Sequence, residues 1–218
     1  MIAVVDYGAA NLLSITRALE AHGAEVLVTR DPDTVLAAAG VVLPGVGAAG
    51  SAMAVLRSTG MDTALREVVN RGTPLLGLCL GLQLLFEHLA EDDTAGLGLL
   101  KGDVPRLPAD RKVPHMGWNH LEWTPDAPGT ELFAGLTPGC SVYFVHSYHC
   151  VPAQPGVAVA WTDYGRQVVA AVARERLWGM QFHPEKSGST GLHMLRNWLR
   201  QVHLLTPGAT DEVQLWPL

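Results

Sequence analysis

The stretch of sequence that decides the fold runs from residue 73 to residue 83 and reads TPLLGLCLGLQ. Its apolar part, Leu75 to Leu78, is short and bounded by a proline, and it predicts a buried strand. After Cys79 the pattern becomes helical, so the chain must turn sharply from strand to helix at the cysteine. Gly77 and Gly81 stand two residues either side of this turn, where residues without bulk tolerate a strained backbone. The stretch therefore predicts one unit of an α/β sheet.

Toward the N-terminus, short β-branched runs alternate with helical stretches, the pattern of a parallel sheet with helices on both faces. The predicted strands are Ile2 to Asp6, Glu25 to Thr29, Val41 to Leu43 and Leu75 to Leu78. Apolar residues at helical spacing predict helices around 12–19 and 65–69. Each of these helices ends near a glycine, Gly23 or Gly72, as a helix C-terminus should. Four βα units result.

After Gly96 the sequence becomes rich in short strands, glycine and proline. Residues 142–145, 157–160 and 168–173 predict consecutive antiparallel strands, 177–182 a further strand and 190–204 a final amphipathic helix. We therefore expect an α/β fold with a mixed, mainly parallel central sheet flanked by helices and an antiparallel, β-rich C-terminal half. Residues 1–205 are expected to form a single domain, and residues 206–218 an irregular tail.

The composition excludes several classes of protein. The chain has 218 residues, 48% of them hydrophobic and 17% charged, which is typical of a globular enzyme rather than a disordered chain. Its net charge is −6 with only 15 lysines and arginines, so we expect no nucleic-acid partner. No apolar run is long enough to span a bilayer, and the first residues do not resemble a signal peptide. A cytoplasmic protein without a membrane partner is expected.

The three cysteines, Cys79, Cys140 and Cys150, suggest neither a disulfide framework nor a metal site. Their number is odd, and their spacing is unlike that of zinc ligands. We therefore predict no metal and no cofactor, and we expect at least one working thiol.

Cys79 is the candidate nucleophile. Its strand-to-helix turn is similar to the elbow of Gly-x-Ser-x-Gly hydrolases, with sulfur in place of oxygen. The N-terminus of the following helix should stabilise the thiolate and offer backbone N–H donors to an oxyanion. A free cysteine is more often a small buried apolar residue. The assignment therefore depends on the flanking glycines and on a base elsewhere in the chain.

His183 and Glu185 are the candidate base and the carboxylate that orients it. They follow the strand predicted at 177–182, and residues i and i+2 of an extended chain point to the same side. Pro184 favours that extended conformation at His183. Glu185 can then bond one imidazole nitrogen while the other faces the thiol, as in a catalytic triad. A surface turn is the alternative interpretation, and the cysteine elbow argues against it.

A glycine-containing loop, Pro44-Gly45-Val46-Gly47, follows the third predicted strand. Parallel strands place their C-terminal ends on one edge of the sheet, so this loop should lie near Cys79. Backbone N–H groups of Val46 and Gly47, together with that of Leu80, are the predicted oxyanion donors.

These motifs resemble those of the class I, or triad, glutamine amidotransferases, whose glutaminase domains have an α/β, flavodoxin-like fold of this length. Five motifs narrow the resemblance to the glutaminase subunits of imidazole glycerol phosphate synthase, from histidine biosynthesis. They are Asp6-Tyr7-Gly8-Ala9-Ala10-Asn11-Leu12, Pro44-Gly45-Val46-Gly47, Pro114-His115-Met116-Gly117-Trp118-Asn119, Tyr143-Phe144-Val145-His146-Ser147-Tyr148 and Gln181-Phe182-His183-Pro184-Glu185-Lys186-Ser187. The resemblance covers nearly the whole chain.

The resemblance implies a mechanism in which Cys79 attacks the carboxamide of glutamine, ammonia leaves, and water hydrolyses the γ-glutamyl thioester to glutamate. It also implies that Glu91 contacts the α-ammonium group of glutamine. The further contacts that it implies are Gly47, Leu80, Gln83, Ser147 and Tyr148.

The resemblance further implies a heterodimer with a (β/α)₈-barrel cyclase subunit. That subunit would use the ammonia to convert a phosphoribulosyl-formimino ribonucleotide into imidazole glycerol phosphate and an aminoimidazole carboxamide ribonucleotide. The residues that would face it are Asn11, Trp118, Tyr143 and Lys186. The sequence departs from the usual family pattern at Ala10, Ala49 and His149. These departures concern contacts near the oxyanion loop and the partner, and the triad is intact.

Alternatives are a glutaminase of another pathway, a non-catalytic metabolite-binding relative and a thiol peptidase. The Pro44 loop and the Lys186-Ser187 pair argue against the first, and the intact triad argues against the second. Glutaminases of this kind are usually almost inactive until the partner is loaded. We therefore expect the Pro44 to Gly47 backbone to reorient and complete the oxyanion hole, since glycines allow such a change at low cost.

Overall fold

The computed structural model describes residues 1–8 and 11–203. The strands are β1 Ile2–Val5, β2 Val26–Thr29, β3 Gly40–Leu43, β4 Leu75–Leu78, β5 Phe86–Leu89, β6 Thr94–Ala95, β7 Leu100–Val104, β8 His115–His120, β9 Ser141–His146, β10 Val151–Pro152, β11 Ala158–Asp163, β12 Gln167–Arg174 and β13 Leu177–Met180. The α-helices are α1 Leu12–Glu20, α2 Pro32–Ala37, α3 Ala49–Ser58, α4 Met61–Asn70, α5 Leu80–Gln83 and α6 Gly188–Gln201.

A seven-stranded sheet in the order β11-β12-β13-β4-β3-β1-β2 forms the centre of the fold. Neighbours from β13 to β2 are parallel, whereas β12 is antiparallel to both β13 and β11. The predicted mixed, mainly parallel sheet is therefore confirmed. Because parallel strands end on one edge, the segments that follow β1, β3, β4 and β13 meet there.

The central strands are buried on both faces. In β1, Ala3 and Val5 belong to an apolar cluster that includes the inner sides of α3 and α4. Ile2 and Val4 belong to another, which includes the inner sides of α1 and α6. Alternate side chains of a strand point to opposite faces. A strand between two helical layers therefore needs a continuous apolar run. β1, β3 and β4 have this pattern and are fully buried, whereas β2 at the edge of the sheet is partly exposed.

Two smaller sheets accompany the large one, with strand orders β10-β7-β5-β6 and β8-β9. The prediction of consecutive antiparallel strands is correct for β11 and β12 but wrong for β9. That strand pairs with the earlier β8, with His115 opposite His146. An apolar run such as 142–145 identifies a strand but not its partner, because the partner can precede or follow it in the chain.

Some predictions fall on residues outside the described ranges. These are Ala10, Leu204 at the end of the last predicted helix, and the tail at 206–218. The organisation of residues 1–205 as a single domain stays a prediction. Of the helices in the described part of the chain, none combines the length and the apolar character needed to cross a membrane.

The junction between β4 and α5 depends on two glycines. A side chain at Gly81 would overlap the backbone carbonyl of Leu43 in β3. One at Gly77 would come within 2.9 Å of the backbone of Gly81 and Leu82. α5 therefore lies directly against the ends of β3 and β4. This contact fixes the position of Cys79 at the turn from β4 to α5.

Replacing Gly81 by alanine should destabilise the protein by about 3 kcal/mol or more, because the new methyl group meets backbone that cannot rotate away. Gly139→Ala is the matched control. Gly139 has a φ of 90°, but a methyl group there meets nothing within 4 Å, so about 1 kcal/mol should be lost. Chemical denaturation measures both values. Equal losses would contradict the close contact with Leu43.

Candidate active site

The candidate nucleophile lies at a strained turn. Cys79 has a φ of 52° and a ψ of −109°, a combination that non-glycine residues rarely adopt. Its N–H donates to the carbonyl of Met180 in β13 at 2.8 Å, and its own carbonyl accepts from the N–H of Gln83 at 3.2 Å. These hydrogen bonds hold the backbone on both sides of the turn. The thiol lines a pocket at this edge of the sheet.

The helix that follows Cys79 is short. It spans only Leu80–Gln83, a single turn, so few peptide dipoles add up beside the thiol. Besides His183, the sulfur has polar neighbours from other distant segments. The carbonyl oxygen of Val145 lies at 3.7 Å and Nε2 of Gln181 at 3.8 Å. These groups, more than a helix dipole, form the polar environment of the sulfur.

His183 and Glu185 form a buried pair. Nδ1 of the imidazole lies 2.8 Å from Oε1 of the carboxylate, and the side chains are only 4% and 5% exposed. The expected extended path between them is wrong. His183 is extended, with a φ of −99° and a ψ of 97°, but Pro184–Lys186 form a 3₁₀ turn. This turn, rather than a continued strand, brings the carboxylate back to the imidazole.

Opposing effects set the protonation state of His183. Burial lowers its pKa, but the interactions with the Cys79 thiol and the Glu185 carboxylate outweigh burial and raise the pKa to about 9. Nε2 is buried and has no hydrogen-bond partner among the described residues. Catalytic hydrogen bonds are often long until substrate is bound. At neutral pH His183 therefore carries a positive charge beside the sulfur of Cys79.

A pocket of about 300 Å³ opens beside Cys79. Its lining residues are Val46, Gly47, Cys79, Leu80, Gln83, Glu91, Pro114, Val145, His146, Ser147 and Tyr148. Every residue predicted to contact glutamine is among them, and so is every residue of the predicted oxyanion hole. His183 and Glu185 border a second, much smaller cavity, which they share with Asn11, Pro44 and Gly45.

Glu91 supplies a negative charge to the wall of the pocket. Its Oε2 accepts the backbone N–H of Ala49, at the start of α3, over 2.8 Å. The carboxylate is thereby fixed in place, in a position suited to a positively charged group of a ligand. Ala49 takes part through its backbone, so the unusual side chain at this position leaves the contact unchanged.

A carbonyl group of the oxyanion loop accepts a hydrogen bond from one of the predicted oxyanion donors. Val46 and Gly47 line the pocket, and Gly47 has a φ of 93°, a conformation that strains other residues. The N–H of Leu80, however, donates to the carbonyl of Gly45 at 3.4 Å. The loop itself therefore competes with a substrate for this donor.

The sequence matches the family model described as "Glutamine amidotransferase class-I" over residues 3–202. The chain belongs to the class I glutamine amidotransferases. The amidotransferase is 49% identical over 201 residues to "Imidazole glycerol phosphate synthase subunit HisH" of Dehalococcoides mccartyi (strain ATCC BAA-2266 / KCTC 15142 / 195), covering 92% of this chain and 97% of that protein.

A protein of the same name from Moorella thermoacetica is 52% identical to the amidotransferase over 197 residues, covering 90% of this chain and 92% of that one. A crystal structure of a glutamine amidotransferase superposes with a TM-score of 0.74 at 20% identity, covering 94% of this chain and 100% of the other, and it supports the fold. The family predicted from the motifs is therefore confirmed.

The amidotransferase has a buried glutamine pair beside the thiol, Gln83 and Gln181, and sequence reasoning predicted Gln83 as a substrate contact but missed its bond to Gln181. Nε2 of Gln83 donates to the carbonyl of Tyr148 and to Oε1 of Gln181, each at 3.0 Å. Nε2 of Gln181 in turn faces the sulfur of Cys79. The chain of contacts ties the pocket wall to the nucleophile. Gln181 stands two residues before His183 in the sequence, and that proximity was the available signal.

Two histidines extend this network away from the pocket. Nδ1 of His146 donates to the carbonyl of Tyr148 at 2.8 Å, so its Nε2 accepts a hydrogen bond from Nδ1 of His115 at 3.0 Å. Burial lowers the pKa of His146 to about 3 and that of His115 to about 4. Both imidazoles are therefore neutral and serve to hold the pocket wall. Neither histidine is followed two residues later by a carboxylate, the spacing that marks His183 as the candidate base.

The residues predicted to face a partner subunit lie on and near the β8-β9 sheet. Trp118 in β8 is 60% exposed and lies edge-on to Tyr143 in β9, with 6.1 Å between the ring centroids. Met116 in the same strand and Leu13 in α1 are 65% and 60% exposed, and sequence reasoning missed both. Of the two remaining predicted residues, Asn11 precedes α1 and Lys186 ends the turn after His183. Both are exposed.

His149 is one of the three positions that depart from the usual family pattern. It is half-buried, and burial lowers its pKa.

The raised pKa of His183 makes a prediction about stability and pH. The folded value is about 9 and the unfolded value about 6.5, so this residue stabilises the fold fully below about pH 6.5 and ceases to do so as the pH rises through 9. His183→Gln should therefore lower the free energy of unfolding more at about pH 6 than at about pH 9.5. The two decreases should differ by about 1–3 kcal/mol.

Chemical denaturation at several pH values measures this difference. His22→Gln is the control. Burial lowers the pKa of His22, so its contribution to stability should fall, not rise, as the pH drops through 6.5. A loss in His183→Gln that is independent of pH would contradict the buried charge pair.

Proposed function

We propose that this chain is the glutaminase subunit of an imidazole glycerol phosphate synthase and hydrolyses L-glutamine to glutamate and ammonia for histidine biosynthesis. The observation that carries the proposal is the thiol of Cys79, which lines a small pocket and interacts with the imidazole of the buried His183–Glu185 pair. The family assignment supports a glutamine-hydrolysing enzyme. Relatives that share about half of its residues bear the name of that synthase.

The pocket suits glutamine by size and by charge. A volume of about 300 Å³ is at the small end of ligand pockets. We assign Glu91 to the α-ammonium group, because its carboxylate is the fixed negative charge of the wall. Gln83, Ser147 and Tyr148 are assigned to the remaining polar groups of the amino acid. The carboxamide then lies at Cys79, between Leu80 and the oxyanion loop.

The proposed reaction has two halves. In the first, the sulfur of Cys79 attacks the carboxamide carbon and negative charge moves onto the oxygen. His183 then gives its proton to the nitrogen, the C–N bond breaks and ammonia leaves. In the second, His183 removes a proton from water, the oxygen attacks the thioester carbon and the C–S bond breaks to release glutamate. Glu185 keeps the imidazole oriented throughout.

We infer that catalysis needs a turn of the Gly45–Val46 peptide. The N–H of Leu80 must point at the substrate oxygen in the transition state, and the carbonyl of Gly45 competes for it. Glycines at 45 and 47 make the turn inexpensive. A missing oxyanion donor costs about 3 kcal/mol of the barrier, so the chain should be slow in its present state. This supports low activity before a partner binds.

We propose a (β/α)₈-barrel cyclase as that partner, in a heterodimer that passes ammonia between the subunits. Support comes from Met116 and Trp118, since exposed apolar side chains at alternate positions of one strand lie on the same face and indicate a protein contact. Leu13 in α1 is a further exposed apolar residue. Asn11, Tyr143 and Lys186 complete the proposed face. Asn11 also borders the small cavity beside His183 and Glu185, which puts the face close to the reacting groups.

We also place the protein in the cytoplasm. Cys79, Cys140 and Cys150 are all unpaired, and unpaired cysteines are typical of reducing compartments. A thiol nucleophile must remain reduced to act, so the proposed activity itself fits such a compartment.

The first test is glutamate release from glutamine, with and without a barrel cyclase and its ribonucleotide. Wild type should be stimulated at least ~100-fold by the loaded cyclase, as expected for gain of an oxyanion donor. Cys79→Ala should be inactive in both conditions. Cys150→Ala, at a buried core cysteine, is the matched control and should retain activity. Cys79-dependent activity that ignores the cyclase would assign the enzyme to another pathway.

A second test concerns the partner face. Trp118→Ala should weaken binding to the cyclase at least ~10-fold, because large aromatic residues dominate such interfaces. Leu27→Ala, at a residue that is 44% exposed on the edge strand β2, should leave binding unchanged. Isothermal titration calorimetry measures both dissociation constants. Equal affinity of the Trp118 variant and wild type would place the interface elsewhere.

A further inference from the structure

Tyr7 has a hydroxyl group that the triad chemistry does not use. The residue follows β1, and its backbone is held on both sides. The N–H of Asp6 donates to the carbonyl of Thr29 at 2.9 Å, and the N–H of Gly8 donates to the carboxylate of Asp6 at 2.8 Å. The side chain of Tyr7 points into the apolar core and is only 6% exposed. Its position is therefore well fixed.

The hydroxyl group of Tyr7 is buried and has no hydrogen-bond partner within the described part of the chain. A buried hydroxyl group without a partner loses its bonds to water and gains nothing in return, so such groups are uncommon. Burial raises the pKa of Tyr7, and the nearby Cys79 raises it further. The phenol therefore keeps its proton and remains a donor without an acceptor.

This hydroxyl group lies directly against the oxyanion loop. A methyl group added to Gly45 would overlap the Tyr7 hydroxyl and would lie 3.0 Å from the backbone nitrogen of Gly81. Glycine therefore leaves room for the phenol at this point. The carbonyl of Gly45 accepts the N–H of Leu80 at 3.4 Å, longer than an ordinary hydrogen bond. Gly45 thus has a poorly bonded carbonyl and an unused donor beside it.

We propose that Tyr7 is a positioning residue whose hydroxyl donates to the carbonyl of Gly45 after the Gly45–Val46 peptide turns, and so holds the oxyanion loop in its catalytic conformation. The inference rests on the proposed glutaminase function. In the turn, the Gly45 carbonyl leaves the N–H of Leu80 for the Tyr7 hydroxyl. The N–H of Leu80 then becomes free for the substrate oxygen.

The exchange makes the two loop conformations close in free energy. Before the turn, the Gly45 carbonyl has a long hydrogen bond and the Tyr7 hydroxyl has none. After the turn, the Tyr7 hydroxyl has an acceptor and the substrate takes the N–H of Leu80. With substrate bound, the hydroxyl of Tyr7 and the N–H of Leu80 therefore both have a partner in the second state. A partner that binds the second state better can therefore shift the population with modest differential affinity.

Tyr7→Phe removes the hydroxyl group and keeps the ring, so it separates this role from core packing. With the loaded cyclase, the variant should lose at least tenfold in kcat for glutamate release, while KM for glutamine stays within twofold. Its melting temperature should equal or exceed that of wild type, because an unpartnered buried hydroxyl is gone. Tyr164→Phe is the matched control. Tyr164 donates to the carbonyl of Lys112 at the surface, and its loss should leave kcat unchanged.

A second measurement on the same variants uses two probes of Cys79. The thiol of Cys79 adds to the carbonyl of the γ-aldehyde analogue of glutamine, and the oxygen of the adduct needs the oxyanion donors. Alkylation of the same thiol by iodoacetamide forms no oxyanion and needs no such donors. In the presence of the cyclase, Tyr7→Phe should bind the aldehyde at least tenfold more weakly and be alkylated at the wild-type rate. A purely structural role would instead lower the alkylation rate, the affinity for glutamine and the melting temperature together.

The outcomes separate the two proposals. A stimulated wild type with a Tyr7→Phe variant of equal kcat and equal aldehyde affinity would overturn the role of Tyr7 and leave the glutaminase function standing. A wild type that releases no glutamate under any condition would overturn the proposed function, and the role of Tyr7 with it. A selective loss of kcat and aldehyde affinity would support both.

Discussion

The close approach of α5 to the ends of β3 and β4 is the constraint on which the rest of the structure depends. Gly81 touches the carbonyl of Leu43, and no larger residue fits there. This contact forces the tight turn at Cys79, with its unusual φ and ψ, and it brings the N–H of Leu80 next to the loop after β3. Nucleophile, oxyanion donor and loop are thus parts of one packed junction. A change at any of them alters the geometry of the others.

The same edge of the sheet contains histidines in opposite protonation states. His183 is held positive because a carboxylate and a thiol face it in a buried site. His115 and His146 are equally sheltered, but their neighbours are a carbonyl, an amide and each other. Burial then dominates, and both stay neutral. The partner of each imidazole, and not its depth, therefore decides whether it carries charge for catalysis or orders a hydrogen-bond chain.

Local sequence patterns predict much of this protein. The apolar runs at 2–6, 25–29, 41–43 and 75–78 correspond to β1 to β4, and the glycines around Cys79 mark the elbow. Contacts between residues that lie far apart in the chain have no such local pattern. Nothing near Gln83 indicates that its amide meets Gln181, 98 positions later, and nothing near Tyr7 indicates contact with Gly45. The predicted glutamine contacts rest on the family resemblance, because a pocket assembled from five separate segments has no local signature. The 3₁₀ turn at Pro184 was missed because a proline is compatible with both extended chain and turn.

The parallel pairing of β4 with β13 has a consequence for the order of folding. Gln181 and Cys79 lie 102 positions apart in the chain, and the N–H of Cys79 donates to the carbonyl of Met180, the residue before Gln181. Pairings between such distant segments are slow to form, since a long loop must close before any contact stabilises it. During synthesis the cysteine leaves the ribosome well before its histidine does. The elbow at Cys79 is therefore complete only when the last strand of the large sheet is in place, and a chain that ends before β13 lacks both that support and the base His183.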